Sequence, residues 1–223
     1  MGVNADPGGV AGSYDRLARE YAERIYHELD GKPFDRALLE RFAERVRGRG
    51  PVLDLGCGPG HVARYLHQRQ VQVVGVDLSP GMVAVARARA PAVKFRVGDL
   101  LALDFADASA AGAVAFYSVI HFPPAELDRA LREIARVLRP GAPLLVAAHR
   151  GDQTVHLDRL WDIEVALDFR FFQPDTLAGA LRAAGLAVEE TLTRAPYPGV
   201  EVETERIYLR ARRPATGQPE GAG

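Results

Sequence analysis

Apolar side chains near the start of the chain recur at the three- and four-residue spacing of amphipathic helices. The first stripe follows Ser13, a residue type that often caps helices, and comprises Leu17, Tyr21, Ile25 and Leu29. The second stripe follows Asp35 and comprises Leu38, Leu39, Phe42 and Val46. Two helices are therefore predicted, the first capped by Ser13 and the second ended by Gly48 and Gly50.

From residue 51 onward, short apolar runs alternate with helical stripes. The runs occupy residues 51–55, 71–76, 93–97, 113–117, 143–148, 186–193 and 207–211. The helical stripes cover residues 61–68, 79–90, 123–138 and 176–184. This alternation is typical of a doubly wound α/β fold with a mostly parallel sheet and right-handed crossovers. Because no helix separates the last two runs, we expect one of those strands to be antiparallel.

The same pattern predicts a single domain over residues 13–213. Within it, residues 13–47 are expected to form a helical lid. Residues 149–170 have a mixed pattern and are interpreted as a small cap insertion over the edge of the sheet. In residues 1–12 and 214–223, small and polar residues replace the periodic apolar positions, so flexible tails are expected there.

Charge and composition narrow the function classes. The chain has 28 basic and 29 acidic residues and a formal net charge of −1, which argues against a nucleic-acid partner, since duplex binding usually needs a basic stripe. No apolar run approaches the ~20 residues of a membrane span, so no membrane partner is expected. The single cysteine, Cys57, allows no internal disulfide. The chain is therefore predicted to act in the cytoplasm, and its oligomeric state is not predicted.

The loop after the first predicted strand holds the first chemical signal. It reads Asp54-Leu55-Gly56-Cys57-Gly58-Pro59-Gly60, with glycine at every second position. In a doubly wound sheet, ligands bind beyond the carboxyl ends of the strands, where glycine lets the backbone approach them closely. A dinucleotide fingerprint spaces its glycines as G-x-G-x-x-G, but here the third glycine comes one residue early.

Two carboxylates follow the next two strands. Asp77 ends the second strand, where an ionised carboxylate can accept hydrogen bonds from both hydroxyls of a ribose. The alternative is an Asp that caps the helix at Ser79. Asp99, in Gly-Asp-Leu, can accept from an exocyclic amine such as that of adenine, unless it is only a turn residue. Leu78, Met82 and the backbone N–H of Leu100 are further candidates for adenine contacts, although Leu78 and Met82 also suit plain core packing.

The segments VLDLGCGPGHVARYL, VVGVDLSPGMVAVAR, VGDLLALDF, YSVIHF and VLRPGAPLLVA resemble, in this order, the motifs of small-molecule class I S-adenosylmethionine-dependent methyltransferases. The resemblance runs from about residue 13 to residue 211. It implies a Rossmann-like sheet of seven strands with the last strand antiparallel. It also implies S-adenosyl-L-methionine as the cofactor, released as S-adenosyl-L-homocysteine.

The resemblance also implies which residues contact the cofactor. The family's positions fall on Asp54, Gly56, Gly58, Asp77, Met82, Asp99 and Leu100, with Ser118 after the fourth strand at the reaction centre. Cys57, interpreted as a small filler inside the loop, and Leu78 are included with them. Tyr14 and Tyr21 lie in YDRLAREYAERI, which resembles the N-terminal lid of the family. For Tyr21 the alternative is ordinary packing against the sheet.

The acceptor side is less defined by the sequence. Because a sulfonium is already activated, the predicted mechanism is an in-line SN2 displacement aided by proximity and orientation, with a base needed only for a protonated acceptor. His121 is the candidate base or acceptor contact. Further candidate substrate contacts are Tyr117, His149, Arg150, Trp161 and Phe169. No metal is predicted, because His149, His156 and Asp158 lack a recognised ligand spacing.

Three alternatives stay open at this point. An NAD-dependent oxidoreductase has a similar topology. A nucleic-acid methyltransferase would carry an Asn/Asp-Pro-Pro-Tyr/Phe segment where this chain has Phe116-Tyr117-Ser118-Val119. A non-catalytic protein would bind S-adenosylmethionine without turnover. The acceptor is expected to be a small molecule, but neither its identity nor its nucleophilic atom is predicted.

Overall fold

A computed structural model of the protein describes residues 9–215. The helices are α1 (Val10–Ile25), α2 (Pro33–Val46), α3 (His61–His67), α4 (Pro80–Arg89), α5 (Pro124–Val137) and α6 (Pro174–Ala183), with 3₁₀ turns at Glu28–Gly31 and Val119–His121. The strands are β1 (Val52–Leu55), β2 (Val73–Asp77), β3 (Lys94–Val97), β4 (Gly112–Phe116), β5 (Pro143–His149), β6 (Thr154–Leu160), β7 (Ile163–Arg170), β8 (Ala187–Arg194) and β9 (Arg206–Arg212).

Seven strands form one twisted sheet in the order β3-β2-β1-β4-β5-β9-β8. Adjacent strands from β3 through β5 pair in parallel, whereas β9 is antiparallel to both β5 and β8. The predicted doubly wound, seven-stranded sheet with an antiparallel last strand is confirmed. The physical reason is the short β8–β9 connection, which has no helix to carry a parallel crossover.

Buried residues cover both faces of the sheet. On one face, Leu53 and Ala113 pack against a stripe of α5 that includes Leu131 and Ile134. On the other, Val52 and its neighbours pack against residues of α2 and α3. Successive strand residues enter opposite layers because side chains alternate along a strand. This two-layer burial explains why the central strands are apolar at nearly every position.

The N-terminal helix differs from the prediction. It begins at Val10 with Gly9 as its N-cap, so Ser13 lies inside the helix and residues 10–12 are not part of a tail. The Ser13 hydroxyl is buried and accepts a hydrogen bond from the backbone N–H of Ala166 at 3.0 Å. A tertiary partner therefore uses the oxygen that the prediction assigned to capping. The rest of the predicted tails, residues 1–8 and 216–223, lies outside the described residues, and residues 214–215 have no regular structure.

The predicted lid over residues 13–47 is also wrong in extent. Of these residues, α1 and Glu28 of the following 3₁₀ turn lie at the carboxyl end of the sheet, while α2 packs on the face of the sheet. The α2 stripe, which includes Leu39 and Phe42, is buried against Val52, Val114 and Leu145. An apolar stripe of this width needs a matching apolar surface, and the sheet supplies it.

The mixed segment folds as a β-hairpin. Strands β6 and β7 pair only with each other, through a two-residue turn in which Trp161 and Asp162 have φ of 51° and 64°. Two positive φ values in a two-residue hairpin turn match a type I′ turn. The hairpin packs on α1 through Leu17, Val165 and Leu167, and on the 3₁₀ turn that ends at His121. It therefore covers the carboxyl end of the sheet rather than an edge strand, and it begins after His149, which belongs to β5.

None of the helices in the described part of the chain is long and apolar enough to cross a membrane.

Candidate functional site

A cavity of about 320 Å³ opens at the carboxyl ends of β1, β2 and β4, with α1 along one side. Parallel strands end at a common edge, which is where a doubly wound sheet forms its crevice. The predicted cofactor residues that line this cavity are Tyr14, Tyr21, Gly56, Cys57, Gly58, Asp77, Leu78, Met82, Asp99, Leu100 and Ser118. The structure thus brings together residues from five separate sequence segments.

The glycine loop needs glycine for steric reasons. Gly56 has φ of 69°, and a Cβ there would lie 2.2 Å from Cβ of Ser118. Gly58 has φ of 50° and donates its backbone N–H to Asp77 at 2.7 Å. The loop therefore approaches the end of β4 closely and is held by a carboxylate from the end of β2.

Asp77 both anchors the glycine loop and lines the cavity. Its second oxygen accepts from the backbone N–H of Ser79 at 2.9 Å, while the Ser79 hydroxyl caps α4 by accepting from Met82 at 3.0 Å, as the sequence predicted for Ser79. Burial raises the pKa of Asp77 to about 6, against the hydrogen bonds from Ser79 and Gly58, which lower it. The carboxylate is therefore mostly ionised at neutral pH and can accept from a ligand.

The other predicted carboxylates take different places. Asp54 does not line the cavity; it is buried and accepts from the backbone N–H of Ala63, while its Oδ2 has no hydrogen-bond partner. Burial raises the pKa of Asp54 to about 7. The predicted direct cofactor contact by Asp54 does not fit this position, because Asp54 lies within β1, where every residue is buried. Asp99 lines the cavity and also accepts from the backbone N–H of Leu101 at 2.8 Å, so it is a turn residue as well.

His121 and Tyr14 form a hydrogen-bonded pair in the cavity wall. The Tyr14 hydroxyl and Nε2 of His121 are 2.8 Å apart, and Nδ1 of His121 is 2.8 Å from the carbonyl oxygen of Asp168. Since a carbonyl only accepts, Nδ1 carries the proton, and in the neutral imidazole Nε2 accepts from Tyr14. Burial lowers the pKa of His121 and raises the pKa of Tyr14 above its usual range. Both side chains are therefore neutral at pH 7.

Helix α1 is held in place over the cavity by Asp15, which sequence reasoning missed. Its Oδ1 accepts from the backbone N–H of Gly81 at 2.7 Å and from the Ser79 hydroxyl, at the first turn of α4. A carboxylate at a helix N-terminus is favoured by the free N–H groups and the helix dipole. Asp15 thereby positions its neighbour Tyr14 beside the glycine loop.

Glu28 and His61 form a second polar pair in the cavity that sequence reasoning missed. Nε2 of His61 lies 3.1 Å from Glu28, which also accepts from Lys32 at 2.7 Å. Burial alone would raise the pKa of Glu28, but His61 and Lys32 lower it to about 2. Nδ1 of His61 is buried without a hydrogen-bond partner. The one sequence signal was the place of His61, directly after the glycine loop; nothing in the sequence marked Glu28.

Several predicted acceptor contacts do not line the cavity. His149 turns to Thr204 at 2.8 Å, and Arg150 pairs with Glu205 at 3.0 Å near the surface. Trp161 lies at the hairpin tip, 5.7 Å from the ring of Tyr21, and Phe169 packs behind His121 at 5.0 Å. Trp161 and Phe169 are not in the lining because they pack the hairpin on α1 and His121, and His149 and Arg150 are not because they pair with Thr204 and Glu205. The cavity is lined instead by Phe116, Phe122 and Leu101, along with Glu126 at its rim.

The three residues considered as metal ligands, His149, His156 and Asp158, do not come together around one point. His156 pairs with Asp158 and Asp168 on the exposed face of the hairpin, whereas His149 faces Thr204. Over residues 9–215, no group of three His, Cys, Asp or Glu side chains is arranged to hold a metal ion.

Tyr117 lines the cavity, as predicted, in an unusual backbone conformation. Its φ of 54° lies in the left-handed region, which costs a non-glycine residue on the order of 1–3 kcal/mol. The backbone N–H of Tyr117 donates to Ala147 at 2.9 Å, and Nζ of Lys32 lies 5.6 Å from the centre of its ring. Neighbouring elements thus hold the strained residue, as is common in binding sites.

The charge of the cavity favours a cationic ligand. Its lining includes the acidic residues Glu28, Asp77, Asp99 and Glu126, and no Lys or Arg occurs among the lining residues that the structure describes. An anionic pyrophosphate would face this acidic wall, and the N–H of Gly58 is already occupied by Asp77. S-adenosylmethionine fits better, because it has a ribose diol, an adenine and a positively charged sulfonium. The fold and the cavity thus define a doubly wound nucleotide-binding protein built for a cationic nucleoside.

Comparison with known proteins agrees with this class. Residues 52–141 match the family described as "Methyltransferase domain". The chain is 31% identical over 200 residues to a malonyl-[acyl-carrier protein] O-methyltransferase of Enterobacter lignolyticus, covering 86% of this chain and 74% of the relative. It is 35% identical over 147 residues to a demethylmenaquinone methyltransferase of Beutenbergia cavernae, covering 65% of this chain and 60% of that relative. The chain belongs to the S-adenosylmethionine-dependent methyltransferases, which confirms the family predicted from its motifs.

The comparisons also bear on the alternatives. They give the oxidoreductase interpretation no support, since the family and the curated relatives are methyltransferases. A solved [4+2]-cyclase shares the fold, with a TM-score of 0.67 and 22% identity over 93% of this chain and 99% of the cyclase. The chain spans 60% and 54% of the length of the first two curated relatives. The chemistry must therefore be argued from the site itself.

Proposed function

We propose that the protein transfers the methyl group of S-adenosylmethionine to a small-molecule acceptor. The observation that carries the proposal is the convergence of the glycine loop, Asp77 and Asp99 on one acidic cavity that Tyr14 and His121 close from the other side. The relatives named above, a demethylmenaquinone and a malonyl-[acyl-carrier protein] methyltransferase, support an organic acceptor without narrowing it to one compound.

Each cavity residue then has a role in binding. Asp77 accepts from the ribose hydroxyls, and Asp99 with the backbone of Leu100 receives the adenine. Leu78 and Met82 supply apolar contacts. The Glu28–His61 pair suits the ammonium of the methionyl end, because it places an ionised carboxylate in the lining of the cavity.

S-adenosylmethionine, when bound, supplies a methyl group already activated by the positive sulfur. The protein's part is to orient the acceptor and keep water away, which in favourable cases is worth roughly 7–11 kcal/mol. Helix α1 and the hairpin β6–β7 suit the second task, because they cover the carboxyl end of the sheet with Tyr14, Tyr21 and Trp161. We propose that this pair of elements, rather than residues 149–170 alone, forms the cap on the acceptor side.

The experiment that tests the function is cofactor binding by titration calorimetry. S-adenosylmethionine and S-adenosylhomocysteine are expected to bind in one-to-one stoichiometry, and NAD is expected not to bind, because of the acidic cavity. Absence of binding by the folded protein for both adenosyl compounds would contradict the proposal. Binding without transfer of a labelled methyl group to any acceptor would favour the non-catalytic alternative.

The Glu28–His61 pair gives a prediction specific to the methionyl end. Replacing Glu28 with Gln is expected to weaken S-adenosylmethionine binding roughly 10- to 100-fold, since a hydrogen bond to a charged group is worth about 1.5–3 kcal/mol. The same change is expected to leave the affinity for 5′-methylthioadenosine, which lacks the amino-acid portion, within about twofold. Calorimetry with the two ligands measures both affinities.

Glu23→Gln is the matched control for this prediction. Glu23 lies on α1, is exposed and pairs with Arg89 outside the cavity. The Glu23→Gln variant should bind both S-adenosylmethionine and 5′-methylthioadenosine as the wild type does. If Glu28→Gln weakened both ligands equally, Glu28 would support the fold of the cavity rather than contact the methionyl end.

A further inference from the structure

Both ring nitrogens of His121 are engaged, so the imidazole cannot itself contact an acceptor. Nδ1 donates to the carbonyl of Asp168, and Nε2 accepts from Tyr14, both at 2.8 Å. Phe169 packs against the ring at 5.0 Å. The predicted role of His121 as a base in direct contact with the acceptor therefore does not fit this geometry.

Tyr14 lines the cavity and is hydrogen-bonded to Nε2 of His121. Its ring lies 5.4 Å from the imidazole and 5.8 Å from the ring of Tyr21, and all three residues line the cavity. A phenol that donates its proton to Nε2 keeps lone pairs on its oxygen, and these can accept a hydrogen bond from a ligand. The polar atom that this pair offers to an acceptor is thus the oxygen of Tyr14.

The other ionisable groups of the cavity are unsuited to this task. Glu28 is paired with His61 and Lys32, and its pKa is lowered to about 2, so it is a weak base. Asp77 accepts two backbone N–H groups on the ribose side, and Asp99 accepts from Leu101. Glu126 is exposed at the rim. The Tyr14–His121 pair offers what the task needs, a hydroxyl oxygen that can accept a proton and an imidazole nitrogen that can take the proton of that hydroxyl.

We propose that Tyr14 receives the proton of the acceptor, that His121 acts through Tyr14 as a proton relay, and that the acceptor is a neutral phenol. This inference rests on the proposed methyl transfer. The acceptor oxygen forms a bond to the methyl carbon while the methyl–sulfur bond breaks. The acceptor proton passes to the oxygen of Tyr14 as the Tyr14 proton passes to Nε2 of His121. The resulting imidazolium stays hydrogen-bonded to the carbonyl of Asp168, and its extra proton returns to solvent after product release.

The residues that line the cavity, and their charge, indicate the class of acceptor. Phe116, Tyr117 and Phe122 suit a flat apolar molecule. A carboxylate or phosphate acceptor would meet acidic side chains and no Lys or Arg among the described lining residues. A neutral amine attacks through its lone pair, so it does not need to lose a proton to the relay before the methyl group is transferred. A neutral phenol needs to lose a proton, which is what the pair supplies.

The test uses three acceptors with the same ring system: 2-naphthol, 2-naphthylamine and naphthalene-2-thiol. Labelled S-adenosylmethionine measures methyl transfer by the full chain. The wild type is expected to methylate 2-naphthol in preference to the amine, and the thiol, which ionises more readily, is expected to depend less on the relay. Tyr14→Phe and His121→Gln are each expected to lower kcat for 2-naphthol roughly 100- to 10,000-fold, the usual range for acid–base catalysis. Affinity for S-adenosylhomocysteine should stay within about fivefold, which separates failure of the relay from failure of the proposed function.

Tyr26→Phe is the matched control variant. Tyr26 lies at the end of the same helix, and its hydroxyl makes one hydrogen bond, to the carbonyl of Arg89 at 3.0 Å, outside the cavity. The variant loses the same chemical group and one hydrogen bond without touching the site. Its kcat is expected to match the wild type.

The pH profile gives a readout that a purely structural role would not move. At saturating S-adenosylmethionine, the wild-type kcat should rise with pH through the lowered pKa of His121 and level off by neutral pH, because the neutral imidazole accepts the proton. His121→Gln should lose this acidic limb. The other titratable groups that face the pair are Tyr21 on α1, Asp77 at the end of β2 and Asp168 on β7. Saturation removes the contribution of Asp77 to binding.

A second readout needs no turnover. Nitrogen-15 NMR of histidine in the S-adenosylhomocysteine complex should show His121 with its proton on Nδ1, and 2-naphthol should shift the Nε2 resonance in the wild type but not in Tyr14→Phe. The proposal is overturned if 2-naphthol does not bind this complex, if the amine is preferred to 2-naphthol, or if Tyr14→Phe keeps the wild-type kcat for 2-naphthol. Loss of S-adenosylhomocysteine binding in the wild type would instead overturn the proposed function.

Discussion

Replacing Asp77 with Ala is expected to weaken S-adenosylmethionine binding by roughly 100-fold or more. The carboxylate lies at the end of β2, lines the cavity and holds Gly58 and Ser79 at 2.7 and 2.9 Å. Two charge-assisted hydrogen bonds to a ribose diol, each worth about 1.5–3 kcal/mol, correspond to at least a factor of about 100 in Kd. Loss of the anchor on Gly58 adds disorder in the loop. Titration calorimetry at pH 7.5 measures the change.

Asp104→Ala is the control, because Asp104 is exposed and follows β3 outside the cavity. The Asp104→Ala variant should bind S-adenosylmethionine with the affinity of the wild type.

The pH dependence of binding gives a second check on Asp77. Since burial raises the pKa of Asp77 to about 6, protonation on going below pH 6 should weaken binding by the wild type, whereas Asp77→Ala should bind equally at pH 5.5 and 7.5. Undiminished binding by Asp77→Ala would show that the ribose lies elsewhere.

Replacing Glu201 with Ala is expected to destabilise the fold by about 3–5 kcal/mol, the usual cost of breaking a buried ion pair from one side. Its side chain is 0% exposed and accepts from Arg194 at 2.6 and 2.9 Å and from the backbone N–H of Tyr197 at 2.9 Å. Lys32 and Arg206 lie within 3.3 and 3.5 Å. Removing the carboxylate would leave Arg194 paired with Asp35 and Lys32 paired with Glu28, while Arg206 would lose its carboxylate and keep its hydrogen bonds to Thr204 and Val202. Urea unfolding gives the free energy difference.

The contribution of Glu201 to the stability of the fold depends on pH. Burial alone would raise the pKa of Glu201, but Arg194, Lys32 and Arg206 lower it from 4.5 to about 2. A carboxylate with a lowered folded-state pKa stabilises the protein above the unfolded pKa, and this contribution is lost as the pH falls. The stability difference between the wild type and Glu201→Ala should therefore be full above pH 4.5 and narrow as the pH falls toward 2.

Glu205→Ala controls for the loop itself. Glu205 lies four residues further on and pairs with Arg150 at 3.0 Å, but its side chain is 52% exposed. An exposed pair contributes about 0–1 kcal/mol. Equal destabilisation by the two variants would mean that the loop, and not the buried charge network, carries the effect.

This network also supports the wall of the cavity. Asp35 joins Arg194 at 2.6 Å to the hydroxyl of Tyr208 at 3.0 Å, and Lys32 links the network to both Glu28 and the ring of Tyr117. Charges buried behind a binding site hold its lining in one arrangement only when every member is paired. The strained backbone of Tyr117 and the ionised state of Glu28 therefore depend on residues that never contact a ligand.

The sequence by itself determined the architecture. Alternating apolar runs and helical stripes predicted the parallel sheet and its crossovers, and the missing helix between β8 and β9 predicted the antiparallel strand. Ser79 was correctly predicted as the cap of α4. These features follow from local periodicity and local backbone chemistry, which are readable within a dozen residues. The ordered motifs identified the family for the same reason.

Only the tertiary structure decided the partners. Tyr14 meets His121 across 107 positions, Glu28 meets His61 across 33, and Ser13 meets Ala166 across 153. Asp54 carried the same motif signal as its neighbours, yet it is buried behind the loop. A side chain's partner depends on the angle at which two elements pack. The periodicity of a single segment does not determine that angle. The residues that bind and react were therefore candidates in the sequence and became a site only through packing.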